Sequence, residues 1–186
     1  MLFYEERKIR SRQNWLSFPV SGVSGKQVEL YLAWLRQTRG VRGAELCTEE
    51  QWERAARGAD ARMFPHGNAL SANEANYDKT YGRVPRAFGP DQVGSHPHSA
   101  SPFGIYDMVG NIGEMTRPIA TSPGGVVAAV SDPDASQKRL VVRGGSFFHP
   151  AIDGRVYNSW SITPDQSLPY VGFRVCASVP PNAGDR

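Results

Sequence analysis

Four histidines and two cysteines are the scarcest reactive side chains in this 186-residue chain, and their spacing limits the chemistry they can do. Cys47 and Cys176 are too few for a disulfide scaffold or a four-thiolate metal site. An intracellular chain would keep them reduced; a lone disulfide is the alternative. His96-Pro97-His98 places two imidazoles two residues apart, with His66 and His149 standing separately. Zinc asks for three or four ligands, so the pair reads as a solvated turn. Asp107, Arg143 and Arg174 read as structural, because a loop-rich fold needs buried donors and a guanidinium fork offers five.

Recognition chemistry is densest in residues 147–170. Phe147, Phe148, Tyr157, Trp160 and Tyr170 are interleaved there with Ser, Thr and Asn, and the stretch holds no Lys, Glu, Met or Cys. Rigid aromatic rings give contact area at low entropic cost, and small polar groups adapt around them. Phe148, His149, Tyr157, Asn158, Trp160 and Tyr170 are therefore the candidate ligand-binding residues. Aromatic rings also fill cores, so about half of this set is expected to be buried. The competing surface is the basic run Glu5 to Arg12, through Arg10 and Arg12.

The elements that must position these residues are legible in part. Ser24 followed by Gln27, and Thr48 followed by Gln51, fit the capping-box pattern. Val28, Tyr31, Leu32 and Leu35 follow the first box at helical spacing, predicting a helix over 26–39 that buries this face. Trp52, Ala55 and Ala56 follow the second, predicting a helix over 49–57 closed by Gly58. Beyond Gly58 turn signals dominate, Pro123-Gly124-Gly125 among them, and the best strands are 140–143 and 171–175. Gly and Pro together make 33 of 186 residues, above the usual ~12%, which argues against a helical bundle.

Residues 1–62 hold 11 basic and 8 acidic side chains against 10 and 10 in 63–186, so the +3 charge sits in the N-terminal third. A nucleic-acid binder shows a denser basic stripe and a recognisable module, which argues against that partner. No apolar run reaches the ~18 residues of a membrane span, and the first residues lack a signal-peptide core. The expectation is a chain with no membrane association, cytoplasmic as given.

Three segments in order resemble one family. Leu46 to Gly58 (LCTEEQWERAARG) resembles its L-P-T-E-x-E-W-E-x-A-A-R-G helix. Phe103 to Thr116 (FGIYDMVGNIGEMT) resembles F-G-L-Y-D-M-x-G-N-V-W-E-W-T, and Arg143 to Ser146 with Gly172 to Arg174 resembles its R-G-G-S and G-F-R closing motifs. The family is that of the formylglycine-generating enzyme, or sulfatase-modifying factor, a variant of the C-type lectin fold. The resemblance implies an α+β, irregular domain over 19–178, with 1–18 an extension or remnant and 179–186 a flexible tail. It also implies that the family's N-terminal β segment is missing, so that a second segment or chain covers an exposed sheet edge.

The resemblance carries chemistry as well. Catalytic members oxidise cysteine with copper held by two cysteines after R-G-G-S, and soft thiolates suit Cu(I). Residues 147–155 contain no cysteine, so no copper is expected and a pseudoenzyme is the reading. The family's calcium loop maps onto the carbonyls of Val109, Gly110 and Ile112 and the side chain of Glu114, since Ca²⁺ takes six to eight oxygens. The alternative is that Glu114 pairs with an arginine. A second calcium site would involve Asn76 and the carbonyl of Tyr77. Two tryptophans usual in this segment are Gly113 and Met115 here. In variable proteins diversified by retroelements, the stretch between R-G-G-S and G-F-R is the part that changes. The expectation is therefore a non-enzymatic domain binding a protein or other ligand through 147–170, with an oxidoreductase of the formylglycine-generating or sulfoxide-synthase type as the alternative.

Overall fold

Ser24 and Thr48 each accept a hydrogen bond from the backbone N–H three residues on, and Gln27 and Gln51 reach back to the capping N–H. Two orphan donors are thereby satisfied at the start of each helix. Helices α1 (Gly25–Thr38) and α2 (Glu49–Arg57) follow in the computed structural model, which describes residues 1–117 and 139–177. Glu49 and Glu50 open α2 and Arg54 and Arg57 close it, in the sense the helix dipole favours. The buried face of α1 is narrower than its periodicity predicts. Val28 and Leu32 are buried, but Tyr31 is 44% exposed because its ring meets Phe173 at the sheet edge, 5.7 Å away, rather than the core.

The main sheet runs in the order β6 (Ser159–Ile162), β5 (Leu140–Arg143), β4 (Gly113–Thr116), β7 (Val171–Phe173), with only the β4–β7 pair parallel. Val28 and Leu32 of α1 pack against Met115, Val142, Ile162 and Val171 of this sheet to form the principal core. The strand expected over 171–175 is broken at Arg174. Beyond it, β8 (Val175–Ala177) leaves the main sheet and pairs antiparallel with β3 (Ala44–Leu46). The alternating pattern thus serves two sheets, and Val175 is exposed. Cys47, next to β3, and Cys176, within β8, form a disulfide that closes 129 residues of chain, so the lone-disulfide alternative holds over the reduced pair.

Residues 1–18, expected as an extension or remnant, are packed into the body. A short hairpin pairs β1 (Leu2–Phe3) with β2 (Arg12–Gln13), and Arg7 between them is buried. Its guanidinium lies 3.5 Å from the Tyr4 ring centroid and 3.9 Å from that of Tyr81, and it bonds Asp91 Oδ1 at 2.6 Å and the carbonyls of Ala87 and Gly89. The outer side of β7 is met by the chain itself. Ser21 bridges Gly172, and Gly22 N–H donates to the Val171 and Leu168 carbonyls, so residues 21 and 22 meet part of this edge.

Asp91, fully buried, is the centre of a polar hub. Besides Arg7, its carboxylate accepts from Gln13 Nε2 at 3.1 Å, Tyr81 Oη at 2.7 Å and His96 Nε2 at 2.8 Å. Asn111, at φ 62, fixes the Asp91 backbone by accepting from its N–H and donating to its carbonyl. His96 is consequently no solvated turn: it is 2% exposed, and its Nδ1 faces the Asn73 carbonyl. His98 is the exposed member of the pair. The expected turn at Pro123 and the tail 179–186 lie outside the described residues. Among the described residues no helix is long and apolar enough to cross a membrane.

Candidate functional site

Arg143 anchors the start of the candidate stretch. Its guanidinium bonds Glu49 at 2.9 Å, Glu53 at 3.2 Å and the Val156 carbonyl at 3.0 Å, tying the end of β5 to α2. Gly144 and Gly145 then turn the chain at φ 89 and 67. A Cβ on Gly144 would stand 3.2 Å from the Trp52 ring, and one on Gly145 3.0 Å from the Gly154 backbone, so both the torsions and the space require glycine. The chain passes through a 3-10 turn, Ala151–Gly154, returns as β6 beside β5, and re-enters the sheet at β7. Residues 147–170 are thus a surface excursion held by strands at both ends.

Four of the six candidate residues converge there. The His149 ring lies 4.8 Å from that of Trp160 and 5.0 Å from that of Tyr170, while Phe148 stacks on Tyr170 at 5.7 Å. Phe88, which sequence reasoning missed, meets Phe148 edge-on at 5.6 Å. Phe148 is 54% exposed. Ser146 Oγ sits 2.6 Å from His149 Nδ1 and fixes the imidazole, and burial, opposed by the nearby Asp153, pushes its pKa below the ordinary histidine value. Tyr157 is exposed but stands outside this ring cluster. Asn158 holds the turn by donating to the Ile152 carbonyl at 2.7 Å.

Beside the rings lies an open cleft of about 440 Å³, lined by His149, Trp160 and Tyr170 and by the polar residues Asp153, Asn158 and Gln166. Asp153 and Gln166 were missed because isolated polar residues in a loop carry no periodic signal. Trp160 also explains a departure from the family pattern. A Cβ on Gly113 would come within 3.0 Å of the Trp160 ring and 2.7 Å of Val142. The volume next to position 113, where the family pattern has tryptophan, is taken by an indole supplied from β6.

The side chain of the expected calcium set is already engaged by protein. Glu114 is buried, with Oε1 accepting from Arg174 at 2.6 Å and Oε2 accepting from Arg174 Nε at 2.9 Å and Trp52 Nε1 at 2.6 Å. Its charge is already neutralised, and the same pairing raises the Arg174 pKa. Val109 and Ile112 are buried, and a Cβ on Gly110 would collide with the Asn76 carbonyl, so this loop is closed by protein on that side. Nearby Asp107 accepts from Gly94 N–H, and burial raises its pKa. Asn76 donates its Nδ2 to the Gly89 carbonyl at 2.9 Å.

Comparison with known proteins matches residues 4–179 to the family described as sulfatase-modifying factor enzyme 1-like domain. The inactive C-alpha-formylglycine-generating enzyme 2 of Bos taurus is 34% identical over 179 residues, covering 88% of this chain and 51% of that protein. The formylglycine-generating enzyme of Mus musculus is 31% identical over 180 residues, covering 89% of this chain and 45% of that protein. The chain thus spans about half the length of these relatives. Among solved structures, Treponema denticola variable protein 1 superposes with a TM-score of 0.68 over 91% of this chain and 76% of that one, at 18% identity, a likeness of fold.

Proposed function

Because the chain belongs to the sulfatase-modifying factor enzyme 1-like family and yet carries no cysteine between Phe147 and Arg155, we propose that it is a non-catalytic binding domain whose ligand or partner docks on the 148–170 surface. The observation that carries this is the cluster of Phe148, His149, Trp160 and Tyr170 rings beside an open cleft, on a segment fixed at both ends by strands. Exposed aromatics on a rigid frame are the commonest anchors of interfaces. The outer edge of β6 pairs with no strand among the described residues. We place the contact with a protein partner there, next to the cleft. The Cys47–Cys176 disulfide supports an oxidising compartment over the cytoplasmic one first expected.

The test is a ligand-observed NMR screen of small saccharides, short peptides and organic amines against wild type and single alanine variants of Phe148 and Tyr170. Compounds that bind wild type should lose more than ~1 kcal/mol of affinity in these variants, with melting temperatures nearly unchanged. Binding that ignores both variants but disappears in Arg10→Ala and Arg12→Ala would move the functional surface to the N-terminal run.

A retroelement-diversified display protein is the finer reading, supported by the composition of 147–170 and by the fold likeness to a variable protein. Sequences of this chain from related strains should scatter at these positions and stay fixed around them. The oxidoreductase alternative is checked by incubating the protein with copper, oxygen and a sulfatase-type cysteine peptide. Formylglycine formation that survives Cys47→Ser and Cys176→Ser would overturn the binding reading.

A further inference from the structure

We infer that the cleft beside β6 is built to receive an organic ammonium group, either on a free small molecule or at the end of a modified lysine side chain. This rests on the proposed binding role of the 148–170 surface and gives it a ligand class. Three aromatic rings line the cleft: Trp160, Tyr170 and His149, the last within 5.0 Å of both others. The faces of such rings carry negative quadrupole density, and a cation held within about 6 Å of them is attracted, most strongly by tryptophan. The same wall carries Asp153, whose carboxylate accepts no hydrogen bond and forms no ion pair with any described residue.

The contrast with the other described aspartates and with Glu114 gives that carboxylate its meaning. Asp91 and Glu114 are each enclosed by several donors. Even at the surface, Asp60 is held by Arg62, Asp78 by Arg83 and Asp165 by Lys26. Asp153 instead shares a partly enclosed, ring-lined space with uncharged amides and hydroxyls, and no lysine or arginine among the described residues lines it. Arg139, directly before β5, donates to Ser161 Oγ at the rim and does not line the cleft. Burial shifts the His149 ring toward its neutral form, in which it adds a π face and no opposing charge. An anion would meet the uncompensated carboxylate; a neutral ligand would leave it desolvated. A bulky ammonium satisfies rings and carboxylate together, because its charge is spread over methyl or methylene groups that tolerate an apolar wall.

The experiment uses four probes by calorimetry on the intact chain: choline, its neutral isostere 3,3-dimethyl-1-butanol, a peptide bearing one N-ε-trimethyl-lysine, and the unmethylated counterpart of that peptide. Choline should bind at least tenfold more tightly than the isostere, and Asp153→Asn should erase that preference while leaving the melting temperature unchanged. Trp160→Phe should weaken choline several-fold and serves as the second variant. Tighter binding of the peptide than of choline identifies a modified protein as the source, and the reverse identifies a free small molecule; either supports the inference. Equal binding of choline and the isostere, no binding of any ammonium probe, or no effect of Asp153→Asn would overturn it. Should ammonium probes fail while a neutral compound from the NMR screen still depends on Tyr170, the ligand class falls and the binding surface stands.

Discussion

The hub around Asp91 and the cleft beside Trp160 are both assemblies of aromatic and polar side chains, and they differ in what is left over. At the hub every polar atom of Asp91 has a protein partner, and Tyr4 and Tyr81 sandwich the Arg7 cation. At the cleft the rings line an open space, and the Asp153 carboxylate has no hydrogen-bond or ion-pair partner among the described residues. A filled set of donors and acceptors gives one well-defined arrangement and nothing to offer a ligand. A set open to solvent is free to engage the ligand proposed above. One region is the frame, the other the face.

The largest effect should come from breaking the frame. Arg7→Met leaves the buried Asp91 charge without its cation, and breaking a buried pair costs about 3–5 kcal/mol. Asp91→Asn should cost a comparable amount, and chemical denaturation reads both. Reducing the Cys47–Cys176 disulfide should come next, at about 2–4 kcal/mol, from the entropy the unfolded chain regains across 129 residues. Measured with and without reductant, Cys47→Ser should be insensitive where wild type is not.

Gly113→Ala tests the seam between frame and face. Its Cβ would press on Val142 and the Trp160 ring, an overpacking cost of about 1–3 kcal/mol. Displacing the indole should alter cleft binding as well as stability, and equal binding in the two proteins would separate the two regions fully. His149 offers a smaller handle. Burial depresses its pKa, so the unfolded state takes up the proton first as pH falls. The contribution of the neutral ring is present above the ordinary histidine value and is lost as pH drops through the folded one. Melting temperature from about pH 7 to about pH 5 should fall less in His149→Asn than in wild type. The smallest expected effect is that of calcium. With Glu114 already paired to Arg174, curves recorded with calcium and with chelator should coincide, and a shift abolished by Glu114→Ala would restore the ion.

What the sequence disclosed of this contrast follows from distance along the chain. Both helices were legible because a capping box lies within four residues, and β5 because its apolar run is contiguous. The ring-bearing stretch was legible through composition, since a local excess of aromatics needs no partner to be noticed. The hub was not, because Asp91 draws on residues 84, 78, 10 and 5 positions away, none of them marked by period or motif. His96 looked solvated for that reason. Gly113 shows the same limit from the other side: its missing ring was visible, but the indole that replaces it comes from β6.

The disulfide has one more consequence. Residues 47 and 176 close a covalent ring that contains α2, the hub aspartate and the whole excursion 147–170, while α1 and the β1–β2 hairpin lie outside it. A single proteolytic cut anywhere between them opens the ring into two arms that stay joined at β3 and β8. A nicked molecule would run as one species until reduced. The 147–170 excursion can therefore be cut once without being released from the fold that presents it.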